Sequence, residues 1–380
     1  MSTPSRYSLE MLDARGVTAA LVAEMSAAAA SAVEPNAFFE PWMLLPAIEM
    51  LASRPVELVL VRRSSGVLAG YFPAERRSRF RHLPVASVRT WRHQYGFLGT
   101  PIIAHEDADA VLGTVLDALA DGRLGAPLLE WTGLRGDGPF ARLLAAQMAR
   151  RPAQAMDARK HERALLVPGE TPGPGISGRH RKELRRLERR LAEHGDLAYR
   201  VFEGVGDPTR WVNEFLTLEA AGWKGREGTA LASEQQSRDY FERIVRGGAR
   251  EGKVQMLALD VGGVPVAMKC NFLSGDGAFA FKIAYREGFA RYSPGVLLEI
   301  HTMDHIAANC PGTLWVDSCA KPHHSMIERL WTGRRMIESC VMSSRALHAR
   351  SVVRILPRVR TMRARLRRAP AAAASGGEST

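Results

Sequence analysis

The sequence predicts two consecutive α/β halves, each a mixed sheet flanked by helices. Three observations carry this. A Pro/Gly-dense stretch divides the chain near its middle, the same strand–strand–strand–helix–strand pattern runs on either side of it, and 380 residues suffice for two ordinary domains with separate cores. The apolar fraction of 46% and charged fraction of 24% are those of a globular protein, and no apolar run is long enough to span a bilayer. The first residues carry acids and no apolar stretch behind a basic start, so no secretory signal is read and a cytoplasmic location is expected. Cys270, Cys310, Cys319 and Cys340 are widely spaced without a C-x-x-C, which fits reduced thiols.

Each half opens with a hairpin pattern. VELVLVRRSSGVLAGYFP turns at Ser-Gly, and KVQMLALDVGGVPVAMKCNF turns at Gly262-Gly263. A further strand is expected in YGFLGTPII and in GAFAFKIAY, then a helix in DADAVLGTVLDALA and in SPGVLLEIHTMDHIAA, then a buried strand in APLLEW and in GTLWVD. The expected organisation is a first half over 1–166 without catalytic function, a linker over 167–178, a second half over 179–340 and a basic, disordered tail over 341–380.

The formal net charge of +12 is concentrated. Residues 339–370 hold nine arginines and no acid, and residues 179–190 hold seven basic and two acidic residues, leaving the remainder close to neutral. A broad phosphate-gripping surface is therefore not expected, and nucleic acid is not expected as a partner. Within the tail, Ile355, Leu356, Val359, Met362 and Leu366 recur at helical spacing among arginines, a pattern suited to peripheral membrane contact, though Pro357 interrupts it.

The candidate chemistry lies in the second half. In REGFARYSPG, Ser293 suits an N-cap and Pro294 the first helical turn, so backbone N–H groups should point outward near Arg286 and Arg291, with Gly295 bare where a pyrophosphate would approach. A merely well-capped helix start fits the same residues. The matched helix start in the first half carries Glu106, Asp107 and Asp109, which would repel a pyrophosphate and instead stabilise the helix. Alternation in GAFAFKIAY puts Phe279, Phe281, Ile283 and Tyr285 on one face and Ala278, Ala280, Lys282 and Ala284 on the other, leaving either ligand space or a strand packed under a helix with its lysine snorkelling. The first half has Leu98 and Pro101 where the second has Lys282 and Tyr285, and Trp131 where the second has Asp317. Asp317, ending a buried strand, should have a raised pKa fit for a general base, or should cap the following loop. In FLTLEAAGWKG, Glu219 and Trp223 lie four apart on one expected helix face that Lys224 and Gly225 close, either as a substrate wall or as an ordinary amphipathic helix. No metal site is expected: no Glu follows His301 as a zinc-protease motif requires of the His301/His305 pair, and His323-His324 reads as loop polarity.

EAAGWKGREGTAL, FKIAYREGFARYSPGVLLE and VDSCAKPHHSMIERLW, with the basic helix RHRKELRRLERRLAEHG, resemble the double-GNAT acetyltransferases that include cellulose- and exopolysaccharide-associated proteins, a family related to FemAB-type aminoacyl transferases. The resemblance implies tandem GNAT-like acyl-CoA N-acyltransferase domains with a central cleft. It also implies transfer of an acyl group, such as acetyl from acetyl-CoA, to an amine or hydroxyl of a small-molecule, glycan or envelope-precursor acceptor. Within it, Asp317 or Glu219 would be the base, Tyr285 the acid, Lys282 a charge stabiliser and Trp223, beside Lys224, the acceptor wall. Arg291-Tyr-Ser-Pro-Gly295 has one residue more than the usual pyrophosphate loop and no second small residue. Two rival expectations are a donor of aminoacyl-tRNA, with 179–190 as the RNA contact, and a non-catalytic scaffold.

Overall fold

The computed structural model describes residues 6–170, 177–204 and 206–368, with side chains as far as residue 362. The part of the expected linker over 171–176 and the part of the expected tail beyond 368 lie outside the described residues.

The first half begins with β1 (Tyr7–Asp13), α1 (Ala19–Ala30) and α2 (Pro41–Leu51), the Thr18 hydroxyl capping α1 by accepting from the Leu21 N–H at 3.2 Å. The expected hairpin follows as β2 (Glu57–Arg63) and β3 (Leu68–Arg77). The next strand is β4 (Ser87–Thr90); YGFLGTPII is largely coil, broken by Gly96, Gly99 and Pro101, and contributes only the short β5 (Ile102–Ile103). Then come α3 (Ala108–Ala120), β6 (Leu128–Arg135), α4 (Pro139–Ala149) and β7 (Met156–Leu166).

The second half runs α5 (Gly178–Ala192), β8 (Leu197–Phe202), α6 (Thr209–Ala220), α7 (Trp223–Arg226) and α8 (Gln235–Arg250). It continues with the hairpin β9 (Val254–Val261) and β10 (Val264–Ser274), then β11 (Gly277–Tyr285), α9 (Pro294–Asn309), β12 (Trp315–Asp317), α10 (Ile327–Leu330), β13 (Gly333–Ser343) and α11 (Leu347–Arg368). Gly262 and Gly263 turn the hairpin with φ of 58° and 77°, which glycine adopts without strain.

The strands form one sheet in the order β1-β2-β3-β4-β6-β13-β7-β12-β11-β10-β9-β8, with β5 on β3. Pairing is antiparallel except β4 with β6 and β11 with β12. The two halves are joined by exchange of their last strands: β13 lies on β6, β7 lies on β12, and the two pair with one another from Gly333↔Leu165 to Met342↔Met156. The core is continuous across the join, with Phe38 5.1 Å from Phe279 and Phe97 6.0 Å from Phe281 between ring centres. α2 packs closely on α8 because Gly248 leaves room for the Trp42 ring, which a Cβ there would approach to 3.3 Å.

Two local features depart from the sequence pattern. In β11 the register slips by one residue opposite Cys270/Asn271, so Phe281 bulges and the alternation changes phase. Phe279, Phe281 and Ala284 pack in the main core while Tyr285 turns to the α9 side, so Tyr285 does not share a face with the two phenylalanines. The tail is not disordered as far as it is described: α11 seats Ala349, Val353 and Leu356 against Phe80, Leu128 and Val341. Leu356 is thereby committed to the fold and unavailable to a membrane, while Ile355 and Met362 remain exposed.

Candidate active site

A cleft of about 290 Å³ opens in the second half where the end of β11 meets the start of α9. It brings together Glu219, Trp223, Lys224, Tyr285 and Gly295, with His324 and Met326 from the segment after β12. α6 stops at Ala220, and the chain turns so tightly that a Cβ on Gly225 would lie 1.8 Å from the Ala220 carbonyl oxygen. Trp223 therefore starts a new short helix and does not sit one turn above Glu219. The turn carries Lys224 back to Glu219 and leaves the indole 43% exposed at the cleft.

Glu219 is buried and bonded on both oxygens. Oε1 accepts from Lys282 Nζ at 2.9 Å and Lys224 Nζ at 3.2 Å, and Oε2 accepts from the Leu231 N–H at 2.8 Å. Burial alone would raise its pKa, but Lys282, Lys224 and the Leu231 N–H outweigh that and hold it below its ordinary value. Burial pushes Lys282 down, an effect that Lys224 reinforces and Glu219 opposes. The group is thus a carboxylate shared by two ammonium ions, which suits holding positive charge in the cleft better than removing a proton. Lys282 also stands 5.2 Å from the ring centre of Tyr95, a first-half residue.

At the start of α9, Ser293 occupies the cap position with φ 53° and ψ 48°, and its side chain makes no cap bond. Its carbonyl accepts from Val296 and Leu297 at 2.9 and 3.1 Å, so the expected hydroxyl cap is replaced by a left-handed backbone, a conformation that costs a serine ~1–3 kcal/mol. A Cβ on Gly295 would meet the Tyr285 ring at 3.6 Å, so the bare glycine leaves open space beside that ring. Arg286 and Arg291 are exposed nearby and have no carboxylate partner among the described residues; the Arg291 guanidinium lies 4.8 Å from the Tyr292 ring centre. The first-half helix start is filled by its own contacts: Asp107 accepts from Tyr7 and Arg63, Arg63 also reaches Glu106, and Asp109 pairs with Arg150.

Asp317 is elsewhere. It is fully buried at the end of β12, with Arg163 and Arg335 on its carboxylate and the Cys319 N–H on Oδ1 at 2.9 Å. Burial would raise its pKa, but the two guanidiniums prevail and lower it, so the expected raised carboxyl is corrected to an ionised structural one. His324 reaches the cleft although its sequence context reads as loop polarity; only the path of the loop after β12 reveals it. His301 and His305 part company, His301 stacking on Tyr199 at 3.9 Å and His305 facing Glu203 at 2.9 Å.

Residues 178–320 match the family described as Acetyltransferase (GNAT) domain. The match lies within the second half and supports a transferase. The whole chain shares its fold with solved structures at low identity. A conserved protein of unknown function from Bacteroides thetaiotaomicron superposes with TM-score 0.55 at 11% identity, over 89% of this chain and 100% of that one. FemX superposes with TM-score 0.54 at 11% identity over 87% and 96%. The C-terminal domain of a protein described as a lysylphosphatidylglycerol synthetase, from Agrobacterium fabrum, gives 0.52 at 13% over 90% and 95%. No curated protein matches the chain in sequence.

Proposed function

We propose that the second half moves an acyl group, acetyl in the simplest case, from a CoA thioester to an amine or hydroxyl of an acceptor such as a glycan or envelope precursor. The contrast between the two helix starts carries this reading: at α9 two arginines with no carboxylate partner among the described residues precede a bare glycine, whereas at α3 three carboxylates are already engaged. Arg286 and Arg291, beside the bare Gly295, fit the phosphates of CoA, which would supply the activated acyl carbon.

The remaining roles fall to side chains lining the cleft and to Lys282, which is bonded to Glu219. Trp223 forms the acceptor wall. Lys282 and Lys224, held by Glu219, keep positive charge where a carbonyl oxygen becomes negative. The acceptor atom bonds to the acyl carbon, its proton passes to the His324 imidazole, and the carbon–sulfur bond breaks with the Tyr285 hydroxyl giving the thiolate a proton. Calorimetry with acetyl-CoA tests the reading: Arg291→Glu should lose binding while melting at the parental temperature, and parental affinity in that variant overturns the assigned anion site.

An aminoacyl-tRNA donor is supported by the arginines of α5, which face outward while Leu184 and Leu191 anchor the helix. Loss of transfer on ribonuclease treatment would favour it over acyl-CoA.

A further inference from the structure

A larger cleft, of about 960 Å³, lies at the seam between the halves. β4 and β6 pair only as far as Arg89↔Glu130, after which β6 continues along β13, so the two strands part and the cleft opens between them over β7 and β13. Arg81, Arg89, Arg92, Arg159 and Lys321 line it, and none of the five has a carboxylate partner among the described residues. Glu130 is the one carboxylate in the described lining, and it accepts from the Ser87 hydroxyl at 2.6 Å.

Confinement makes this charge costly. Arg92 lies so close over Gly133 that a Cβ there would meet Nη1 at 1.8 Å, and the enclosing walls, with Arg163 and Arg89, lower its pKa to about 10. His93 has a buried Nε2 with no partner among the described residues, and burial, then Arg92, push its pKa down to about 3, so the ring is neutral. Backbone strain marks the same place. Among the described residues the non-glycine positive φ angles are at Arg81 and Cys319, which line this cleft, and at Ser293 and His323, beside the smaller one. Four of these cations come from the first half and Lys321 from the second, so the site is assembled from the separate segments 81–92, 159 and 321.

We infer that this cleft binds a compact ligand carrying two or more phosphate groups and presents it to the second half as the acyl acceptor. Cations on several walls of a concavity suit two phosphates of a small molecule better than a flat lipid surface or an RNA helix. The clefts are neighbours: residues 93–97 border the larger one and carry Tyr95 onto Lys282, and residues 319–322 border it before His324 enters the smaller. The acceptor role rests on the acyltransferase reading; the binding does not.

Calorimetry on the full chain with inorganic pyrophosphate and with orthophosphate tests the site, with phosphatidylglycerol vesicles and a short RNA hairpin as further arms. Pyrophosphate should bind more tightly than orthophosphate. The R89A/R92A variant should weaken it ~10–100-fold, the worth of lost hydrogen bonds to charged groups, at parental melting temperature and parental acetyl-CoA affinity. Arg159→Ala should act in the same direction, and Arg291→Glu should leave this binding intact. Pyrophosphate no tighter than orthophosphate, or indifferent to R89A/R92A, overturns the inference, as does arginine-dependent binding of vesicles or RNA in preference to pyrophosphate. Arginine-dependent pyrophosphate binding without acetyl-CoA binding would keep this site and remove only the acyl-CoA reading.

Discussion

Asp317 and Arg163 form a buried ion pair across the seam between the halves, Arg163 Nη2 donating to Asp317 Oδ2 at 2.7 Å. Arg335 donates to the same oxygen at 2.9 Å, and Arg335 and Arg163 face each other in register on β13 and β7. Two like charges opposed on neighbouring strands repel, so the acid at the end of β12 is what allows the exchanged strands to lie together.

Asp317→Asn should therefore act on stability, since it leaves two buried guanidiniums around a neutral side chain. The expected loss is ~3–5 kcal/mol in urea unfolding. The folded carboxyl is held below its ordinary value, so its stabilisation is complete above the unfolded pKa of ~3.9 and is lost as pH falls through the lower folded value. Unfolding within ~0.5 kcal/mol of the parent would contradict the clamp.

The elements set by periodicity were legible: the two hairpins, α3, α9 and the buried strands β6 and β12 stand where alternation and capping residues put them. What escaped depends on contacts distant in sequence. Asp317 is a buried strand-end acid on either reading, and only the exchange of β7 and β13 decides that it meets two arginines. The bulge at Phe281 breaks the alternation that assigned Tyr285 its face. α11 reads as an arginine-rich tail until Phe80 and Leu128, far away in the chain, supply the surface that orders it. Arg81, Arg89, Arg92, Arg159 and Lys321 read as scattered surface charge until the parted strands gather them.

Gly295 separates space from fold. Gly295→Ala adds a methyl in ordinary contact with Tyr285 at 3.6 Å and should leave both melting and acetyl-CoA affinity near parental. Gly295→Leu fills the opening beside the ring and should weaken acetyl-CoA by ~10-fold or more through excluded volume, with the chain still folded. Equal acetyl-CoA affinities in the two variants would mean that the ligand does not pass this glycine.

Adjacent tail residues offer an internal control. Leu356 is 5% exposed and Ile355 48%. Leu356→Ala should destabilise by ~2–5 kcal/mol and Ile355→Ala by less than ~0.5 kcal/mol, read by denaturant unfolding. Similar small losses in both would show that α11 does not hold the fold, and the Arg360–Asp157 pair beside it would then be a surface contact alone.

Glu219→Gln distinguishes a counter-ion from a base. Burial and Lys224 lower the pKa of Lys282, and Glu219 is the group that raises it, so removing the carboxylate's charge moves the Lys282 pKa further down. If turnover needs the Lys282 ammonium, the alkaline limb of the pH–rate profile shifts to lower pH in Glu219→Gln, while the rate at acid pH is largely kept. The same variant gives up stability that the folded carboxylate supplies above its unfolded pKa and loses as pH falls through its lowered folded value. Lys282→Met removes the ammonium outright and should lower turnover at every pH and abolish that limb. A general base would behave differently: its loss would cost ~10²–10⁴ in turnover across the whole profile with the alkaline limb in place. A pH–rate profile of Glu219→Gln with that uniform loss would therefore return Glu219 to the role of base and leave Lys282 and Lys224 as its partners.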